Sequence, residues 1–230
     1  MLRRRSRIPV LAEISGPAAG RGWALRRQDF AGLTQLLPRL DGHGVAAVVG
    51  EGEATPVAAV AIAAAASASG RRTILVDCDL AHPHLAAQIG LATTPGLHEY
   101  LRWEAEPQEI LQPVVLAGPA TGASADPLVC VCGGRPATKA ETLLGLQSFA
   151  HMIEKLRAAY QLTLLLAPPV QLEPASALAV ASVADAVLAA LPADEAHGRS
   201  GRPLRNAIGR LGPPALGAVA LASPSWVQRS

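Results

Sequence analysis

The stretch Val45-Ala-Ala-Val-Val-Gly-Glu-Gly-Glu-Ala-Thr55 joins an apolar run to a short loop with two glycines and then to an alanine-rich segment. The apolar run predicts a buried strand over residues 45–49, and the alanine-rich segment predicts a helix over residues 55–69. Backbone N–H groups and the positive end of a helix dipole favour an anion in a loop of this kind. The stretch therefore predicts a phosphate-binding loop in an α/β protein.

The alternation of apolar runs and helical patterns continues along the chain. Further strands are predicted at residues 73–76, 128–132, 162–166, 186–191 and 216–222, and helices at 83–89, 97–103, 141–160, 175–184 and 204–211. This order predicts a parallel, doubly wound sheet with helices on both faces. Such sheets bind ligands at the carboxyl ends of their strands, so the loops after Val49, Val76 and Leu166 are expected to carry the function.

Length and composition indicate one domain with a large core, since the 230 residues are 50% hydrophobic and only 17% charged. We assign residues 1–44 to an N-terminal segment leading into the domain, 45–223 to the domain and 224–230 to a loose tail. Residues 197–203, rich in Pro, Gly and Arg, are predicted to be a flexible connection. A net charge of +2 gives no argument for nucleic acid. No apolar run is long enough for a membrane span or a signal peptide, so a cytoplasmic location is expected.

The predicted phosphate loop lacks the residues that hold ATP. A working P-loop has a Lys for the phosphates, followed by a Ser or Thr for magnesium, whereas here Glu53 and Ala54 follow Gly52. Like charges 4 Å apart cost about 4 kcal/mol at an effective dielectric constant of about 20. The only lysines, Lys139 and Lys155, belong to another segment. We therefore predict a vestigial phosphate loop formed by Gly50, Glu51, Gly52, Glu53, Ala54 and Thr55.

Three stretches carry a family pattern. They are residues 7–15, residues 45–97 with Asp77-Cys-Asp79 and Pro95-Gly-Leu97, and residues 160–170 followed by 184–187. Together they resemble the cytoplasmic tyrosine kinases of bacterial capsule and exopolysaccharide biosynthesis (BY-kinases), which are relatives of the MinD/ParA ATPases. The resemblance implies a P-loop NTPase-like fold, with Asp77 and Asp79 as the Asp-x-Asp motif called Walker A′.

The departures from the family pattern fall on the catalytic positions. The Walker A lysine is Glu53, the following serine is Ala54, and the Walker B aspartate is Leu166. The C-terminal tyrosine cluster that these kinases phosphorylate is missing, since the only tyrosines are Tyr100 and Tyr160.

Asp77 and Asp79 are the surviving matches to catalytic carboxylates. They either bind a metal, as the resemblance implies, or cap the turn that follows their strand. Nearby, His82-Pro83-His84 is either a metal-binding pair or an exposed turn, and two ligands alone do not make a metal site. Residues 3–7, with four arginines, form either a solvated tail or a contact with a membrane surface or partner.

The leading hypothesis is a catalytically degenerate BY-kinase-like adaptor or regulator in exopolysaccharide biosynthesis or export. Its expected partner is a membrane polysaccharide co-polymerase or other exopolysaccharide machinery. A homo-oligomer or pairing with an active paralogue is also open, and nucleic acid is not expected. No cofactor is expected. One alternative is an active kinase or ATPase with an unusual site, which would bind ATP and Mg²⁺. Another is a MinD/ParA-like positioning protein.

Overall fold

The computed structural model describes residues 8–16, 23–116, 127–198 and 201–222. The predicted tail at 224–230 and the arginine-rich residues 3–7 lie outside these ranges. The strands are β1 (Val10–Ile14), β2 (Val45–Gly50), β3 (Thr73–Asp77), β4 (Gln112–Val114), β5 (Leu128–Val131), β6 (Leu162–Leu166), β7 (Ala186–Pro192) and β8 (Ala215–Leu221). The α-helices are α1 (Arg27–Leu36), α2 (Ala54–Ala68), α3 (Leu85–Ile89), α4 (Leu97–Leu101), α5 (Ala140–Leu144), α6 (Gln147–Ala159), α7 (Pro174–Ser182), α8 (Ala193–His197) and α9 (Arg202–Ile208).

The strands form one sheet in the order β1-β8-β7-β2-β6-β3-β5-β4. Every neighbouring pair is parallel except β4 and β5, which are antiparallel. The predicted fold class, a parallel α/β sheet flanked by helices, is confirmed. Because β2, β6 and β3 are adjacent at the centre, the loops that follow them open at one edge of the sheet.

Side chains alternate along the central strands between two apolar cores. In β2, Val45 and Val49 belong to the core shared with helices α4, α5, α6, α7 and α9. Ala46 and Val48 belong to the other core, shared with α1, α2 and α3. This alternation with both faces covered is typical of a doubly wound sheet.

Three elements differ from the sequence-based expectation. The described part of the segment 1–44 does more than lead into the domain, because β1 pairs with β8 in the same sheet and α1 packs on β1 and α2. The prediction of a single helix at residues 141–160 is wrong. The segment forms two helices, separated by Gly145, a poor helix former, and by Leu146, which is extended. The connection predicted at 197–203 contains the end of α8 and the beginning of α9.

Helix α2 is buried on all sides. Every residue from Ala54 to Ser67 is buried, between the sheet and α1. The absence of a polar face explains why the segment is alanine-rich throughout instead of amphipathic. In the described ranges, no helix has both the length and the apolar character to cross a bilayer.

Candidate functional site

The loops after β2, β3 and β6 enclose a cavity of about 70 Å³ at the carboxyl edge of the sheet. These are the loops that the strand order places side by side. The lining residues are Gly52, Glu53, Thr55, Pro56, Asp79, His84, Leu166, Ala167 and Pro169.

The predicted phosphate loop, between β2 and α2, is very short. Strand β2 continues to Gly50 and α2 begins at Ala54, so only residues 51–53 separate them. At Gly50, a Cβ atom would lie 2.4 Å from the carbonyl oxygen of Ala190 and 2.6 Å from the Thr55 hydroxyl. Gly52 has a φ of +56°, in the left-handed region that favours glycine. Gly50 is therefore required by close packing against β7 and α2. Gly52 is explained by its left-handed backbone conformation.

The two carboxylates of this loop have different surroundings. Glu53 is exposed and makes no side-chain hydrogen bond that caps α2. Glu51 accepts a hydrogen bond from the backbone N–H of Gln171, which ties the loop to the segment after β6. Burial raises the pKa of Glu51, and the Gln171 hydrogen bond partly opposes this shift. The Glu53 side chain therefore does not cap α2.

Thr55 and Leu166 form the inner wall of the cavity. The Thr55 side chain is buried, and its hydroxyl has no hydrogen-bond partner. Leu166, at the position where the family resemblance implies an aspartate, is in register with Val48 on one side and Asp77 on the other. This wall thus combines an unpaired hydroxyl with an apolar side chain.

Asp77 is fully buried and organises its own loop. Its Oδ1 accepts the N–H of Asp79 at 3.1 Å, and its Oδ2 accepts the N–H groups of His84 at 3.2 Å and Leu85 at 3.1 Å. Burial raises the pKa of Asp77 to about 7, against the opposing effect of these hydrogen bonds. Because both oxygens are used by the loop and the start of α3, the geometry favours the capping interpretation for Asp77.

Asp79 lies beside a histidine and a second carboxylate. Its Oδ1 accepts the His82 N–H at 3.0 Å and lies 4.0 Å from His82 Nδ1. The same Nδ1 lies 3.5 Å from Oε1 of Glu173, the residue that precedes α7. From sequence, His82 and His84 are either a metal-binding pair or an exposed turn. The sequence pattern does not predict the contact with Glu173, which is far away along the chain but adjacent across the sheet edge.

The Pro95-Gly-Leu97 motif lies outside the cavity and ties α4 to the end of β5. The Leu97 N–H donates to the Cys132 carbonyl at 2.8 Å, and a Cβ on Gly96 would lie 2.4 Å from that oxygen. Buried Glu99 accepts the N–H of Gly96 at 2.8 Å and Nε–H of Arg135 at 2.8 Å. These contacts give the motif a structural role.

The comparisons with solved structures identify this architecture. The chimerical protein CapA2B2 has a TM-score of 0.76 and 17% identity, over 95% of this chain and 96% of that one. The kinase domain of Escherichia coli tyrosine kinase ETK has a TM-score of 0.72 and 16% identity, over 95% and 92%. The septum site-determining protein MinD of Pyrococcus horikoshii, complexed with Mg-ADP, has a TM-score of 0.54 and 18% identity, over 76% and 69%. No protein-family model matches the chain, and no curated protein matches it either. The chain therefore has the fold of bacterial tyrosine kinase domains and of MinD-like P-loop ATPases.

Proposed function

We propose that the chain is a catalytically degenerate BY-kinase-like protein that serves as a cytoplasmic adaptor or regulator in exopolysaccharide biosynthesis or export. Its proposed partner is a membrane polysaccharide co-polymerase or another component of that machinery, which would hold it at the inner face of the membrane. The family-like motifs and the kinase-like fold support a role in exopolysaccharide biosynthesis or export. The proposal that the protein acts without ATP rests on the properties of the cavity.

The lining of the cavity is the observation that carries this proposal. Of the described residues that line it, none is Lys or Arg, whereas Glu53 and Asp79 bring carboxylates. A triphosphate needs cationic and magnesium-binding groups, and Leu166 offers neither. A volume of about 70 Å³ is also well below the roughly 300–1,000 Å³ of ordinary ligand pockets.

The experiment is calorimetric titration of the chain with ATP and ADP, with and without Mg²⁺. We expect no measurable binding by the wild type. Glu53→Lys reverses the charge in the loop, and the double variant Glu53→Lys/Leu166→Asp also adds the missing carboxylate. Any gain of Mg²⁺-dependent binding is expected to be greater in the double variant, since both changes act on one site.

Glu141→Lys is the matched control, because Glu141, like Glu53, is an exposed carboxylate at the N-terminal end of a helix, but it lies outside the cavity. This control should bind no nucleotide. Tight, Mg²⁺-dependent binding by the wild type would contradict the proposal, and the next measurements would then be hydrolysis and phosphotransfer.

The cellular role is tested by deletion. Loss of the protein should reduce the exopolysaccharide of the producing cell, and a wild-type copy that binds no nucleotide should restore it. Restoration only by Glu53→Lys/Leu166→Asp would argue for an ATP-dependent role instead.

A further inference from the structure

Asp79, which lines the cavity, forms a convergent group with His82 and Glu173. One ligand atom from each lies within 4.8 Å of the other two. The three residues come from two segments, the loop after β3 and the residue before α7. Asp79 is buried, Glu173 is partly buried and His82 is exposed, so the group runs from the cavity to solvent.

The distances are close to those of a metal centre. Donor atoms bound tetrahedrally at about 2.1 Å from one ion lie about 3.4 Å apart. His82 Nδ1 is 3.5 Å from Glu173 Oε1 and 4.0 Å from Asp79 Oδ1. Both separations exceed that spacing by less than 1 Å, and all three ligand atoms lie within 4.8 Å of one another.

The donor set also selects the class of ion. Two carboxylates and one imidazole balance a divalent charge, and the imidazole favours a transition metal such as Zn²⁺ over Mg²⁺, which prefers oxygen. Three protein ligands leave a fourth position for water, as in open zinc sites.

Thr55 gives a second, independent indication of a ligand. Thr55 is only 3% exposed. It lines the same cavity as Asp79, and its buried hydroxyl has no hydrogen-bond partner. The cavity of about 70 Å³ has room for one or two waters, each occupying about 30 Å³. A metal-bound water would supply the missing hydrogen bond.

We propose that Asp79, His82 and Glu173 bind a divalent transition-metal ion of the zinc class, with a metal-bound water directed at Thr55. The ion joins the loop after β3 to the residue before α7, beside the cavity. The site uses different chemistry from nucleotide binding, and its test requires no nucleotide.

The test is titration of chelator-treated chain with Zn²⁺ by calorimetry, without nucleotide. We expect one equivalent to bind to the wild type. His82→Ala and Glu173→Gln should each weaken binding by roughly tenfold or more, because two ligands remain. His82 is 70% exposed, so its replacement leaves the core intact. His151→Ala, at an exposed histidine of α6, is the matched control and should bind like the wild type.

Two further measurements identify the ligands. With Co²⁺ as a spectroscopic probe, nitrogen and oxygen ligands should give d–d bands without thiolate charge transfer, since Cys78, Cys130 and Cys132 are buried. Equimolar Mg²⁺ should not displace Zn²⁺. No Zn²⁺ binding by the wild type, unchanged affinity in His82→Ala, a thiolate band, or displacement by equimolar Mg²⁺ would each overturn the proposal.

Discussion

The loops after β2 and β3 lie on either side of β6 and differ in what their motif residues contact. The loop after β2 contains Gly50 and Gly52. Its charged residues are Glu51 and Glu53, and Glu53 is exposed to solvent. The loop after β3 keeps both carboxylates, but Asp77 directs its oxygens to backbone N–H groups. In both loops these residues are explained by packing, backbone conformation or hydrogen bonding. Motif residues of this kind can therefore hold the fold together independently of catalysis.

The largest effect should follow from removing the acceptor in the second loop. Asp77→Ala leaves three backbone N–H groups without their acceptor, and each buried unsatisfied group costs about 1–3 kcal/mol. We expect a loss of about 3 kcal/mol or more in the free energy of unfolding, measured with urea at pH 6. Asp77→Asn keeps one carbonyl acceptor and should lose less. Equal stability of Asp77→Ala and wild type would mean that the carboxylate is not retained for structure.

The same carboxylate should make stability depend on pH. The pKa of Asp77 rises from 3.8 to about 7 on folding, chiefly through burial, so between these values the native state holds a proton that the unfolded chain has released. Its contribution is therefore fully present below pH 3.8 and is lost as the pH rises to about 7, at up to about 1.4 kcal/mol per pH unit. Urea unfolding across this range should show the slope in the wild type and not in Asp77→Asn.

Asp185 provides a control of opposite sign for this titration. Partial burial raises its pKa, but the Val45 N–H and the Arg157 guanidinium outweigh burial and lower it. Its contribution to stability is thus lost as the pH falls through the folded pKa. Asp185→Asn should therefore remove stability at neutral pH and leave the Asp77 slope in place.

The two glycines of the first loop should differ in cost. Gly50→Ala places a methyl group against the backbone of β7, and overpacking of this kind costs about 1–3 kcal/mol. Gly52→Ala meets open space and only strains a left-handed residue, at about 1 kcal/mol. Urea unfolding of both variants measures the difference. A larger loss at Gly52 would show that the loop conformation, and not packing of β2 on β7, fixes this part of the site.

The smallest effect should come from the inner wall. Thr55→Val removes a buried hydroxyl without a partner and should stabilise the metal-free chain by about 1 kcal/mol. Thr163→Val is the matched control, since its buried hydroxyl also lacks a partner and it lies within β6. Saturating Zn²⁺ should reduce the gain at Thr55 and leave that at Thr163 unchanged. A thermal melt with and without Zn²⁺ measures both.

The periodicity of the sequence predicts the centre of the sheet well and its edges poorly. Strands β2, β3, β6 and β7 are buried on both faces, so each appears as a mainly apolar run without polar alternation. Strand β1 alternates between buried and exposed residues, and β4 is a three-residue antiparallel strand that contains a proline. Such edge strands form because a neighbouring strand offers hydrogen bonds, a property that is not visible in the strand's own sequence.

The candidate site divides in the same way. The position of the predicted phosphate loop, residues 50–55, follows from the sequence because the strand, the glycines and the helix are contiguous in the chain. Neither the tie from Glu51 to Gln171 nor the approach of Glu173 to His82 could be predicted, since each joins segments that meet only across the sheet edge. The strand order, which determines these encounters, is fixed by tertiary packing.

The alanine content of α2 has a consequence for how this protein can change. Alanine loses no side-chain rotamer entropy on burial, so the helix is enclosed at small entropic cost. The alanines between Ala58 and Ala66 are buried, so the space at each of them holds only a methyl group. Replacing one of these alanines by a larger residue must push a strand or α1 aside. A deep mutational scan should therefore find a continuous stretch of intolerant positions here, so that new properties of the protein would have to arise at its loops.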